Sequence, residues 1–287
     1  MVFRSCGRRM GISADFRSSP SETRFRSAPR APHRSQWSPP PVGSELPFMT
    51  TLITRRFASR AALDAALEQR LRQAIGASGA SAIMLSGGTT PLPAYRELAR
   101  GPLPHDRLHV LFSDERYVPP DADASNYHQA RALLEALALP ASAVARVRTE
   151  LPIEEAAGDY ERQLAALLNA GVPIGLGLLG LGTDGHTASL FGTADLERAR
   201  GHLAIAVHRP DGMSAVSVTP EFLARVQEPV FVVASSGKHL AIAALIAQDP
   251  NLIAWRAVQG CPRVELWVHD ANATDLLPAA GAPANRR

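Results

Sequence analysis

Four times along this chain a short apolar run stops at a cluster of glycine, hydroxyl or charged residues. Residues 81–85 end at Ser86-Gly87-Gly88-Thr89-Thr90-Pro91, and residues 108–112 end at Ser113-Asp114-Glu115-Arg116. Residues 172–179 run into Gly180-Leu181-Gly182-Thr183-Asp184-Gly185-His186, and residues 230–234 run into Ser235-Ser236-Gly237-Lys238. Short apolar runs bounded by glycine read as buried strands. Residues 61–75, 91–99, 126–137, 154–168 and 239–247 carry apolar residues at helical spacing, and 187–191 read as the start of a short helix. Further short strands fall at 203–207, 216–218 and 264–268. Strands alternating with helices require right-handed crossovers, which predicts an α/β fold with an open, mostly parallel sheet covered by helices on both faces. In such a sheet the residues just past each strand share one edge, where ligands bind. Ser86, Asp114, Gly182 and Ser235 are therefore expected side by side.

The chemistry at that edge follows from residue type. Ser86 to Pro91 joins strand to helix with two glycines and three hydroxyls, so consecutive backbone N–H groups can converge on a phosphate or sugar oxygen. An ordinary tight turn with a threonine cap competes with that reading. His186 sits at a strand-to-helix corner, where Gly185 allows close backbone approach and Asp184 can orient or charge the imidazole. Asp114, Glu115 and Arg116 bring two carboxylates and a guanidinium to one strand end, against the alternative of a solvated charge cluster. Lys238 is the only lysine beside 29 arginines, which singles out its compact ammonium as a phosphate ligand. Two overlapping G-x-G-x-x-G matches, from Gly175 and from Gly180, argue against a dinucleotide site, because no acidic residue stands at the following strand end, 205–208. His105 and His109 have helical metal spacing but fall at a loop-to-strand junction, so no metal is expected.

The net charge of +3 is carried by the N-terminal segment. Residues 1–48 hold eight Arg, three acids and seven Pro, so they are expected to be a disordered basic leader, with Met49 as an alternative translation start. Residues 49–287 are expected to form a single α/β domain. Their interspersed charges exclude a nucleic-acid surface, and the leader is too polar to span a membrane. Cys6 and Cys261 make no disulfide framework, which fits the cytoplasm.

In this order and spacing, these motifs resemble the 6-phosphogluconolactonase family, within the larger glucosamine-6-phosphate isomerase/deaminase-like group. The likeness runs from about Thr54 to about Ala273 and includes Ser125-Asn126-Tyr127 and the run from Gly182 to Phe191. It implies a NagB/RpiA-like, Rossmann-type fold, no metal or organic cofactor, and a monomer or homodimer acting on a sugar-phosphate lactone. By the same resemblance, His186 is the general base, Asp114, Glu115, Arg116 and Asn126 line the sugar site, and the Ser86–Thr90 loop with Lys238 holds the phosphate. Asp184 or Asp114 would favour the imidazolium, and loop N–H groups or Arg116 would steady the oxyanion. Where relatives carry an arginine, this chain has Ala215, so one cation for the anionic end is missing. A glucosamine-6-phosphate deaminase is the nearest rival, but such proteins tend to carry tyrosine where Arg116 stands. A non-catalytic sugar-phosphate sensor is the other, and no helix-turn-helix accompanies the domain.

Overall fold

The computed structural model describes residues 50–234 and 236–269. The expected basic leader, Met49 and Ser235 lie outside the described residues. In chain order the elements are β1 (Thr51–Arg56), α1 (Arg60–Ile75), β2 (Ala80–Leu85), α2 (Leu92–Leu98), β3 (Arg107–Phe112), β4 (Asp114–Arg116), α3 (Asn126–Leu137), α4 (Ile153–Asn169) and β5 (Ile174–Leu179). There follow α5 (Thr193–Arg198), β6 (Ala204–His208), β7 (Ser214–Val218), α6 (Pro220–Leu223), β8 (Pro229–Val233), α7 (His239–Ile246), α8 (Ile253–Val258) and β9 (Arg263–Val268).

Six strands form one sheet in the order β1-β9-β8-β5-β2-β3, and every neighbouring pair is parallel. Helix α1 shows why the chain folds this way. Ser59 caps it by accepting from the Ala62 N–H at 3.1 Å, and Leu63, Leu67 and Leu71, four apart, lie on one buried face. They pack with Ile83, Val110, Leu176, Val230 and Trp267 from the sheet. Full burial of each such side chain is worth about 1.5–3 kcal/mol.

The strand order fixes the site. From β2 the chain moves outward to β3, then returns to β5 and continues the other way through β8 and β9. The connections after β2 and β5 thus diverge, and a crevice opens between them at the strands' carboxyl ends. That crevice holds the Ser86 and His186 loops.

Two features differ from the sequence reading. Asp114 to Arg116 is a strand, not the tail of one; with β7 and β6 it builds a small antiparallel sheet, β4-β7-β6. The register pairs Asp114 with Ser217, Glu115 with Val216 and Arg116 with Ala215. Residues 187–191 do not begin a helix. They form a turn in which Ala188 takes φ 48° and the Leu190 N–H bonds to the Thr187 carbonyl at 2.9 Å. Tertiary bonds hold it: Thr187 Oγ1 donates to the Gly180 carbonyl at 2.8 Å, and the Ser189 N–H donates to Ser217 Oγ at 3.1 Å. The helix waits until Thr193.

Candidate active site

A cavity of about 310 Å³ lies in the crevice. Ser86, Gly87, Gly88, Thr89, Thr90, Asp114, Arg116, Asn126, His186 and Lys238 all line it, as do Ala188 and Arg209. Residues as far apart in the sequence as Ser86 and Lys238 are thus gathered by the strand ends.

Tyr95 locks the start of the Ser86 loop, its hydroxyl donating to the Ser86 carbonyl at 2.9 Å and accepting from the Ser86 N–H at 3.2 Å. Gly88 has φ +86°, a conformation that favours glycine, and its N–H donates to Gln129 Oε1 at 2.8 Å. Two of the loop's donors are therefore spent on holding its shape. Among the described residues the N–H groups of Gly87, Thr89 and Thr90 have no hydrogen-bond partner, so they are available to an anion. Gly87 is required for another reason: a Cβ there would come within 1.8 Å of Asn126 Oδ1.

The Asn126 amide ties this loop to β4. Its Nδ2 donates to the Asp114 carbonyl at 2.8 Å, and its Oδ1 accepts from Arg116 Nη1 at 2.9 Å. The Asp114 carboxylate accepts from Ser113 Oγ at 2.8 Å and from Ser189 Oγ at 2.7 Å. Glu115, expected at the sugar, does not line the cavity. Period-two alternation along β4 turns it to the opposite face from Asp114 and Arg116. There, 2% exposed, it accepts from the N–H groups of Asn126 (2.7 Å) and Tyr127 (2.8 Å) at the start of α3. Burial pushes its carboxyl up to about 7, against the pull of those N–H groups.

His186 is oriented by its own turn. Its Nδ1 lies 2.5 Å from Asp184 Oδ1, and its backbone N–H reaches the same oxygen at 3.2 Å. With the Nδ1 proton donated to the carboxylate, Nε2 carries the free lone pair. Partial burial pushes the Asp184 carboxyl up. The hydrogen bonds from His186 and the imidazole's charge outweigh that and hold it below the usual carboxylate range. Phe191 packs on the ring at 4.4 Å between centroids. Gly185 and Asp184 lie behind the cavity wall. Gly185 has φ +83°, and a Cβ there would strike Leu252 Cδ1 at 2.4 Å. Its carbonyl accepts from the Ala254 N–H at 2.9 Å, so α8 clamps the turn from behind.

Lys238 lines the cavity with no hydrogen-bond partner among the described residues. Partial burial pushes its ammonium below the usual value, with the Asp184 charge opposing. Arg209 went unnoticed in the sequence. The signal was present, since Arg209-Pro210-Asp211-Gly212 is a hairpin turn at the rim of two short strands. The cavity thus presents three cationic side chains, Arg116, Arg209 and Lys238, beside one buried carboxylate, which suits an anionic guest. No described helix is long and apolar enough to cross a membrane.

Residues 55–266 match the family model described as glucosamine-6-phosphate isomerases/6-phosphogluconolactonase. The chain is 37% identical over 236 residues to the 6-phosphogluconolactonase of Nostoc sp., covering 79% of this chain and 95% of that one. It is 35% identical to the 6-phosphogluconolactonase of Synechocystis sp., covering 80% and 98%. Among solved structures, the 6-phosphogluconolactonase from Thermotoga maritima superposes with a TM-score of 0.64 at 28% identity, over 76% of this chain and 98% of that one.

Proposed function

Because this chain belongs to the glucosamine-6-phosphate isomerase/6-phosphogluconolactonase family, we propose that His186, turned by Asp184, drives the lactone hydrolysis it performs as general base. The chain is a lactonase, opening 6-phospho-D-glucono-1,5-lactone to 6-phospho-D-gluconate in the oxidative pentose phosphate pathway. The observation that carries the mechanism is the 2.5 Å contact between His186 Nδ1 and Asp184 Oδ1 at the wall of the strand-end cavity.

A lactone is an activated ester, so a positioned water suffices as nucleophile. Nε2 of His186 takes a proton as the water oxygen bonds to C1, and the carbonyl oxygen becomes an oxyanion. As the tetrahedral intermediate collapses, the bond from C1 to the ring oxygen breaks, and the imidazolium returns its proton to that oxygen. General-base help of this kind is worth roughly 100- to 10,000-fold. Asp184 stabilises the imidazolium and fixes the tautomer. Asp114, bonded instead to Ser113, Ser189 and Asn126, holds the sugar and its neighbouring loops in register. Arg116 faces the developing charge, and the N–H groups of Gly87, Thr89 and Thr90 with Lys238 hold the phosphate. That binding energy orients C1 against the base. The protein works without a cofactor, as a monomer or homodimer in the cytoplasm, with a single catalytic domain from residue 49.

The test is hydrolysis of freshly made lactone, corrected for spontaneous opening, by wild-type protein and by His186→Ala. A loss of at least 100-fold in kcat is expected. Wild-type turnover by the variant would remove the histidine mechanism, and release of ammonia from glucosamine 6-phosphate would point to the deaminase instead.

A further inference from the structure

The hairpin between β6 and β7 carries a cation that none of the motifs contains. Arg209 begins its turn and lines the cavity, with its side chain only 13% exposed. Three groups place it. Asp211 accepts from Nε at 3.1 Å and from Nη2 at 2.9 Å, Ser189 Oγ accepts from Nη1 at 3.3 Å, and the Cζ atom lies 5.1 Å from the centre of the Phe191 ring. These bonds occupy three of the five guanidinium N–H groups, which leaves one on each terminal nitrogen. Two such N–H groups at the tip of a fixed guanidinium match the oxygens of a phosphate.

Its place in the site specifies which end of the substrate it meets. Arg209 and the catalytic imidazole pack on the same aromatic side chain, Phe191, with the His186 ring 4.4 Å from its centre. In the lactone the ring oxygen joins C1 to C5, and C5 carries the phosphate on its C6 arm, so the phosphate lies a few bonds from C1. A substrate with C1 at His186 therefore brings its phosphate within reach of a cation packed on the same aromatic side chain as the base. The register supplies the second argument. Ala215 lies directly opposite Arg116 on β7, fully buried and without charge, in the position where an arginine is expected. The same hairpin provides its cation six residues earlier.

Resting on the lactonase reading, we infer that Arg209 binds the substrate phosphate in place of an arginine at position 215, with Asp211 as its positioning residue. Arg209 is then a determinant of the preference for phosphorylated over unphosphorylated lactone. The experiment compares kcat/KM for 6-phosphoglucono-1,5-lactone and glucono-1,5-lactone in wild-type protein, Arg209→Gln and Asp211→Asn, with thermal melts alongside. In Arg209→Gln the preference should narrow by about 10- to 100-fold, the value of one or two charge-assisted hydrogen bonds, mainly through KM for the phosphorylated substrate. Inorganic phosphate should also inhibit it less than wild type. Asp211→Asn, which keeps the cation but loosens it, should narrow the same preference by a smaller factor and answers the question if Arg209→Gln does not fold. Equal losses on both lactones, or an unchanged preference in either folded variant, overturn the inference. Wild-type protein that opens neither lactone removes the lactonase reading itself, a distinct outcome.

Discussion

Gly182→Ala should disable the enzyme while leaving the fold nearly untouched. A Cβ built on Gly182 would lie 2.2 Å from His186 Nδ1 and 2.3 Å from Asp184 Oδ1, the two atoms that form the 2.5 Å contact. The methyl group would therefore enter between the base and its carboxylate. Non-bonded contacts of that kind open to about 3.5 Å, so the imidazole must retreat by about 1 Å, and a misplacement of that size costs on the order of 100-fold in rate. A 100-fold loss corresponds to about 2.7 kcal/mol of transition-state stabilisation. The obstructing atoms are side-chain tips, not backbone, and Gly182 does not occupy the left-handed region. Stability should accordingly change by about 1 kcal/mol or less. The phosphate contacts do not involve Gly182, so KM should stay close to wild type. The assay is the initial rate on fresh 6-phosphoglucono-1,5-lactone, with spontaneous hydrolysis subtracted, beside a thermal melt. Wild-type kcat in a well-folded Gly182→Ala protein would refute the claim that the His186–Asp184 contact sets the rate.

Asp184→Asn should lower kcat by on the order of 1,000-fold, because the amide no longer selects the tautomer with Nε2 free; an unchanged kcat would contradict this. The Asp184 carboxyl is held below its usual range, so its help to the imidazole is present above that range and is lost only as pH falls through the depressed value. Activity should therefore show a further loss only below the usual carboxylate range, read from kcat/KM against pH, and a profile without that loss would refute the assignment. Lys238→Ala should raise KM for the phosphorylated lactone roughly tenfold, measured by steady-state kinetics, since its half-buried ammonium awaits an anion. Tyr160→Phe should lower stability by about 1–3 kcal/mol in denaturant titration, because the buried N–H and carbonyl of Phe112 both lose the phenol they bond to, at 3.0 Å and 2.5 Å.

Local chemistry made much of this protein readable before any coordinates. Helix α3 spans Asn126–Leu137 as the sequence predicts from apolar residues at helical spacing, and the structure adds Ser125 as its cap. The four strand-end motifs needed only the rule that a parallel sheet gathers them on one edge, and the Ser86, Asp114, His186 and Lys238 clusters do meet around one cavity. What escaped the sequence depends on partners far along the chain. Strand β1 (Thr51–Arg56) is partly exposed and short, and it becomes a strand through its parallel pairing with β9. The direction of Glu115 depends on whether Asp114 to Arg116 pairs with β7, because one strand residue either way reverses every side chain. Residues 187–191 have helix-compatible types, yet bonds to Gly180 and Ser217 hold them in a turn.

The sequence by itself determined most of the elements and the residue types that can bind an anion and move a proton, because both follow from spacing of a few residues and from side-chain chemistry. Tertiary structure alone decided which carboxylate serves the histidine, which loop N–H groups stay free among the described residues, and that Arg209 belongs in the site. Those outcomes turn on contacts of a few ångströms between strands and hairpins, and no periodicity in the chain encodes such distances.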